Sequence, residues 1–493
     1  MGVQLQANAK KSMQTVSFSY LFFVISCWIL FAAHRSILWK KTVFFVASAA
    51  YLCSFSLVDA SYSFFSLLTG LCPVFSFIAT GFISILLIKK YGGKQILYCA
   101  VIVQLFMFLY FKQYSIVSFV PVLPWPLMIV GLSYIFFRVA HLQVEAYHGT
   151  LSETPTFLSY LNYCFSFLTL QAGPIQPWNN FSAQEKKLSL FSAKNVDWMG
   201  VFSQVANGYL KVALVGAGFE QLRLWSEQLP KSSLSLSIEV VCYLLYLYYN
   251  FSGFMDISIG LGRAFGFDLP INFNEPLLSK SFLDLWSRWN ITLSDWFKDY
   301  VFTPLAAAMT RKWGSPQRTL MIGVFCYLVT FFLMGVWHGT TQNFFFYGLA
   351  LGFGAAMNKT AHAWLHRVLG KKKHLSLQGK LIFKVFASSL AISFFALALS
   401  FFWVGNLADA ARVFLPFPRL LAIFLLVWLW VLLVQTVIQS AKTLIVFLKE
   451  SSRFAVGTAD IMESAYLAAR LLAVVGLIFL YNDHPINVAY KVF

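Results

Sequence analysis

PINFNE at Pro270–Glu275, WSRWNITLSDWFKD at Trp286–Asp299 and GVWHG at Gly335–Gly339 fall within one stretch, residues 251–348. Most of the chain around it is long apolar runs, whereas here Asn, Asp, Arg and His stand beside tryptophans. Strongly polar groups are costly in hydrocarbon, so in a membrane bundle they face the interior or a water-filled cavity. The stretch therefore points to a membrane protein whose chemistry is gathered at this place.

Composition agrees. The 493 residues are 59% hydrophobic and 11% charged, with mean hydropathy +0.69; a soluble protein carries about 25% charged residues. In lipid every backbone polar group must be satisfied internally, which leaves helices or a closed barrel. The apolar runs are about 18–25 residues long without period-two alternation, and this selects helices. The expectation is an all-α, polytopic helical bundle of roughly 11–13 membrane segments, some short or re-entrant, around a central tunnel. No Pro-, Gly- or Ser-rich linker, repeat or soluble domain interrupts it, so residues 1–493 read as one transmembrane domain.

The net charge is +18. Lys and Arg collect in short loops, which fits the positive-inside rule and an anionic leaflet rather than a nucleic-acid partner. The seven cysteines lie in apolar runs without a CxxC pair. They read as small core hydrophobes, with neither a disulfide framework nor a zinc site. Val16–Ala33 lacks a clear A-x-A site and reads as a retained first span.

The basic loops His34–Lys41 and Lys89–Lys94 are separated by two spans and share a face. If that face is cytoplasmic, the N-terminus is periplasmic, although Lys10 and Lys11 pull the other way. Further spans are expected at Val43–Leu57, Phe64–Ile88, Ile96–Phe111 and Ile116–Phe137, with a turn at Asp59–Ser63. Pro73 should bend the third span, and Pro121, Pro124 and Pro126 should make the start of the fifth irregular. Phe157–Leu170 is apolar but short for a span, and AGPIQPW (Ala172–Trp178) turns the chain. Val201–Phe219 reads as a span whose Lys211 snorkels to the interface.

Four groups invite a chemical reading. His141, Glu145 and His148 share a helical face, but without HExxH they suit a helix end in which Glu145 pairs with His141 or Arg138. His362 and His366 stand four residues apart with no third ligand in view and read as solvated loop residues; no metal is expected. Phe282, Trp286, Trp289, Leu293, Trp296 and Tyr300 recur at steps of three and four, the pattern of one amphipathic helix over residues 281–300. His338 ends an apolar run from Leu320, flanked by Gly335 and Gly339 that allow close approach. It suits either a buried structural hydrogen-bonder or a general base.

FSGFMDISIGLGRAFGFDLPINFNEP, then WSRWNITLSDWFKDYVFTPL, then GVWHG resembles the membrane-bound O-acyltransferase (MBOAT) family. It looks most like the bacterial branch with the alginate O-acetylation and teichoic-acid D-alanylation membrane proteins. The AGPIQPW turn is similar to the family's Gly-Pro turn, and the motif-bearing core spans about residues 169–348. The resemblance implies acyl transfer from a thioester to a hydroxyl, with His338 at the family's invariant histidine and Asn290 at its second polar position. The bacterial polysaccharide branch usually has His where this chain has Asn290, and Asn cannot act as a base; its amide can orient His338 or hold an acyl carbonyl.

On this reading Trp286, Trp289 and Trp337 line a dry acyl passage, and Arg288 and Asp299 lock the helix through an ion pair. No cofactor is held permanently; the donor is acetyl-CoA or an acyl-carrier thioester. The partners are the bilayer and a periplasmic acetyltransferase or other polysaccharide machinery, and the location is a bacterial inner membrane. The alternatives are transfer of D-alanyl or another acyl group to cell-envelope polymers, and a non-enzymatic transporter. Broken helices suit a transporter too, but no inverted repeat is seen.

Overall fold

The computed structural model describes residues 18–56, 64–121, 131–405, 407–414, 417–451 and 459–481. Lys10, Lys11, the expected turn at Asp59–Ser63, and Pro124 and Pro126 lie outside the described residues. Among the described residues the regular elements are helical, and the β-type pairing is an isolated antiparallel bridge between Phe273 and Trp289.

The chain runs through α1 (Phe18–Ala32), α2 (Ile37–Ser56), α3 (Phe64–Tyr91) and α4 (Lys94–Phe111) into α5 (Leu132–His148), α6 (Phe157–Phe165) and α7 (Trp178–Lys187). Next, α8 (Trp198–Leu210) passes through a π-helical segment, Lys211–Gly216, into α9 (Ala217–Glu227) and then α10 (Ser233–Ala264). The motif region holds α11 (Phe282–Trp286), α12 (Ile291–Phe297), a π turn at Lys298–Phe302, and α13 (Thr303–Trp313). It is followed by α14 (Thr319–His338), α15 (Gln342–Gly379), α16 (Leu381–Leu399), α17 (Leu407–Phe414), α18 (Phe417–Ser451) and α19 (Ala459–Tyr481).

Among the described residues seven helices are long and apolar enough to cross a membrane. They lie at Ile37–Ser54, Leu71–Tyr91, Lys94–Phe111, Ser233–Ala264, Thr319–His338, Ile382–Phe402 and Pro418–Ile438, with shorter apolar helices at Ser19–Ala32 and Tyr466–Leu477. The protein is an all-α, multi-pass membrane protein. The α10 span is the post of the bundle: 72% of it is buried, against 22–56% for the other six. A β-carbon on Gly253 would press on the Gly208 carbonyl oxygen, so glycine is what lets α8 and α10 touch backbone to backbone.

Several sequence expectations need correction. Ile116–Phe137 is not one continuous span: a 3₁₀ turn occupies Ser115–Val117 and the helix begins at Leu132. Phe157–Leu170 is a nine-residue helix followed by turns. There the fully buried Arg138 donates to the Cys164 and Thr169 carbonyls, at 2.9 and 3.1 Å, and to the Thr169 hydroxyl at 2.7 Å. Arg138 thus ties down backbone that forms no helix, rather than pairing with Glu145. Lys211 does not snorkel; in the π segment its ammonium meets Asp256 at 2.6 Å. His362 and His366 are helical, and beyond the non-helical Gly370 the chain brings back buried His374, with ring centroids 4.6 and 6.2 Å away.

Candidate active site

The expected single helix over residues 281–300 is broken. It stops after Trp286 and restarts at Ile291, with Asn290 in left-handed backbone (φ 44°). That conformation costs an ordinary L-residue roughly 1–2 kcal/mol, and Asn is among the few that adopt it routinely. The periodic face survives the break: Phe282, Trp286, Trp289 and Leu293 are all buried. Periodicity identified which residues point inward but could not register a reversal of the backbone between them.

The break is stabilised by a polar knot centred on Asn272 of PINFNE. Its amide nitrogen donates to the Asn290 side-chain oxygen at 2.9 Å. Its side-chain oxygen accepts from the Thr292 N–H at 2.9 Å and the Thr292 hydroxyl at 2.8 Å, and its carbonyl accepts from the Ile291 N–H at 2.9 Å. Thr292 in turn accepts from the Ile175 N–H at 3.0 Å, inside the AGPIQPW turn. Three motifs distant in sequence are thus joined in one buried network. Asn272 was quoted in the sequence motif but not singled out, because its role depends on partners that the fold supplies.

His338 closes α14 and is buried. Its ring is walled by Trp337 (centroids 4.6 Å), by Phe402 and Tyr347 edge-on (5.2 and 5.5 Å) and by Phe344 (6.5 Å). A β-carbon on Gly335 would overlap Gly348, and one on Gly339 would enter the Phe344 ring. The two glycines therefore let α15 close against the turn that carries the imidazole.

Asn290 and His338 are not joined by a hydrogen bond among the described residues; they meet different parts of one helical wall. Trp289, beside Asn290, packs on Phe395 at 5.0 Å, whereas His338 packs on Phe402. Seven residues separate these phenylalanines, roughly 10 Å along a helix. Trp286 shares Phe395 with Trp289 (5.7 Å) and also meets Phe331 (4.9 Å). Trp337 packs instead on Phe137 (5.0 Å) and Tyr134 (6.1 Å).

Arg288 and Asp299 do not form the expected ion pair. Arg288 meets Asp284 at 2.9 Å, one turn back on the same segment, and Asp299 is exposed at the π turn. Eleven residues, about 16 Å along a helix, separate Arg288 from Asp299, whereas Asp284 lies one turn away. Two small cavities, each of about 10 Å³, sit elsewhere, one lined by Arg138, Thr169 and Gln176 and the other by Leu277, Ile392 and Gln435.

On α5 the sequence pattern has a different outcome from the one expected. His141 Nδ1 lies 2.5 Å from the Tyr300 hydroxyl, which donates to Glu145 at 2.8 Å. His141 Nε2 accepts from the Trp178 N–H at 3.0 Å, so the ring proton sits on Nδ1. Burial pushes the His141 imidazole down to about 4, against the pull of Glu145. The carboxyl of Glu145 sits below its usual range: burial opposes this, but hydrogen bonds from Thr150 and Tyr300, together with the nearby His141 and His148, outweigh it. Tyr300 thus stands between two groups that the sequence would pair directly, and it ties α5 to the π turn.

The family model described as MBOAT, membrane-bound O-acyltransferase family, matches residues 61–400. A teichoic acid D-alanyltransferase of Bacillus subtilis (strain 168) is 30% identical over 225 residues, 45% of this chain and 56% of that protein. A peptidoglycan O-acetyltransferase of Helicobacter pylori is 30% identical over 267 residues, 52% and 46%. The Azotobacter vinelandii protein named "Probable alginate O-acetylase AlgI" is 26% identical over 234 residues, 47% and 45%. The chain spans about half the length of the curated relatives it matches.

Proposed function

This chain belongs to the membrane-bound O-acyltransferase family, and from that premise we propose that it moves an acyl group from a thioester to a hydroxyl of a cell-surface or exported polysaccharide. The observation that carries the reading is the His338 imidazole, buried at the end of a membrane-spanning helix inside an aromatic wall. Such a group can take the acceptor's proton where little water competes. Proton transfer of this kind is typically worth about 10²–10⁴ in rate. The thiolate that leaves recovers that proton, so the reaction needs no other proton source.

Acetyl is the proposed acyl group, with acetyl-CoA or an acyl-carrier thioester as donor. Relatives named for teichoic acid, peptidoglycan and alginate support a cell-envelope polymer as the acceptor class. D-alanyl remains the second candidate because the same names include D-alanyl transfer. The reading places the chain in the bacterial inner membrane, N-terminus periplasmic, working with a periplasmic acetyltransferase or other polysaccharide machinery. Asn290 acts here by holding the hairpin that carries Trp286 and Trp289, through Asn272.

The test is acyl transfer by the protein in lipid with radiolabelled acetyl-CoA or an acyl-carrier thioester, comparing wild type with His338→Ala and Asn290→Ala. Transfer by wild type and its loss in a folded His338→Ala protein is the expected result. Substrate transport that survives His338→Ala, without acyl transfer from either donor, overturns the proposal.

A further inference from the structure

The end of α4 brings a charge to the His338 site that the sequence motifs do not contain. Lys112 caps α4. The following Gln113 takes left-handed backbone (φ 58°), donating to the Tyr110 carbonyl at 3.0 Å, while Tyr114 N–H returns to the Leu109 carbonyl at 3.0 Å. This paired closure ends a helix sharply, and glycine is the residue it usually takes. The Tyr114 hydroxyl then donates to the Val336 carbonyl at 2.6 Å, with the Trp337 carbonyl 3.5 Å away. The loop is thereby fastened to the last turn of α14, directly beside His338.

Three features make the lysine more than a helix cap. It is half-buried, it has no ion-pair partner among the described residues, and its charge acts on the His338 ring. The C-terminus of a helix also carries about half a negative charge. An oxyanion forming beside the end of α14 is therefore disfavoured unless a cation stands near.

We propose that Lys112 is the oxyanion-stabilising cation of this site. The inference rests on the acyl-transfer reading. The acceptor oxygen bonds to the thioester carbon as its proton passes to His338, and the carbonyl oxygen takes the negative charge opposite the Lys112 ammonium. Collapse re-forms the carbonyl and breaks the carbon–sulfur bond, and the thiolate takes the proton from His338. The Lys112 charge acts on His338 of α14, Tyr114 follows it on the same loop, and Tyr347 of α15 packs on His338. Burial pushes the Lys112 ammonium down to about 8 and the Tyr114 phenol upward. Lys112 is therefore the group that loses its charge in the mildly alkaline range.

The experiment compares wild type, Lys112→Met, Lys112→Arg and His338→Ala with acetyl-CoA or an acyl-carrier thioester, from pH 6 to 10. Lys112→Met should lower kcat about 10²–10³-fold, the scale of losing one oxyanion donor, with little change in KM. Wild type should lose activity as pH rises through about 8. Lys112→Arg should keep part of the activity and lack that alkaline decline, because arginine stays charged. Competitive amine labelling of wild type should show Lys112 titrating near the same pH. If wild type is active and His338→Ala is not, but Lys112→Met stays within about twofold of wild type, or the alkaline limb persists in Lys112→Arg, Lys112 has no such role and the acyl-transfer reading stands. If wild type transfers from neither thioester, both readings fall.

Discussion

The Asn272–Asn290 knot and the His338 wall are both buried in the same bundle, yet they are built on opposite plans. The knot is polar, and its main members are hydrogen-bonded to one another across three chain segments. The wall is aromatic and sits at the end of a continuous helix, with glycines setting how closely α15 approaches it. The contrast teaches a division of labour. Hydrogen bonds hold an irregular backbone where helix geometry fails, and aromatic packing encloses the imidazole where chemistry is proposed.

The largest expected effect falls on the wall. His338→Ala should lower acyl transfer by about 10²–10⁴ while leaving thermal unfolding close to that of wild type. Equal loss of stability would make His338 a structural residue and erase the contrast. Asn272→Ala should act the other way, lowering stability first. Each buried group it leaves unpaired costs about 1–3 kcal/mol, read as the temperature at which buried Cys164 becomes reactive to a thiol dye.

Acid should act on a second polar network, His141–Tyr300–Glu145, which meets the AGPIQPW turn at Trp178. The His141 imidazole titrates near 6.5 when unfolded and about 4 when folded. Between these values the unfolded chain binds more protons, so stability falls as pH drops through that window. Glu145, held low in the fold, loses its own contribution at still lower pH. His141→Gln should flatten the upper part of the decline in a thermal-unfolding series from pH 7 to 4; an unchanged slope would exclude His141 as its source.

The smallest effect separates two substitutions at Asn290. Gly accepts the left-handed backbone freely, whereas Ala does not. Asn290→Gly should therefore be more stable than Asn290→Ala by about 1 kcal/mol, although both lose the bond from Asn272. Equal unfolding temperatures would mean that the amide alone matters.

Much of this was legible in advance. His338 at the end of its run is buried, and so are Phe282, Trp286, Trp289 and Leu293 of the periodic series, while Trp296 and Tyr300 are half-buried. Other features were not. One left-handed residue, Asn290, splits a helix whose periodicity hardly changes. Tyr300 intervenes between His141 and Glu145 from more than 150 positions away, the separations being 159 and 155. Lys112 stood out in no motif, because the Tyr114 bond to Val336 that brings it to His338 spans 222 positions.

The sequence by itself determined the solvent, the helical class and the family, because hydrocarbon admits few ways to satisfy a backbone and the motif residues occur in a specific order. Only the tertiary structure decided which helix breaks, that the loop after Lys112 is fastened to the last turn of α14, and that Arg288 turns to Asp284 rather than Asp299. Those outcomes depend on hydrogen bonds and charges acting over a few ångströms between residues far apart in the chain, and local composition carries no record of such distances.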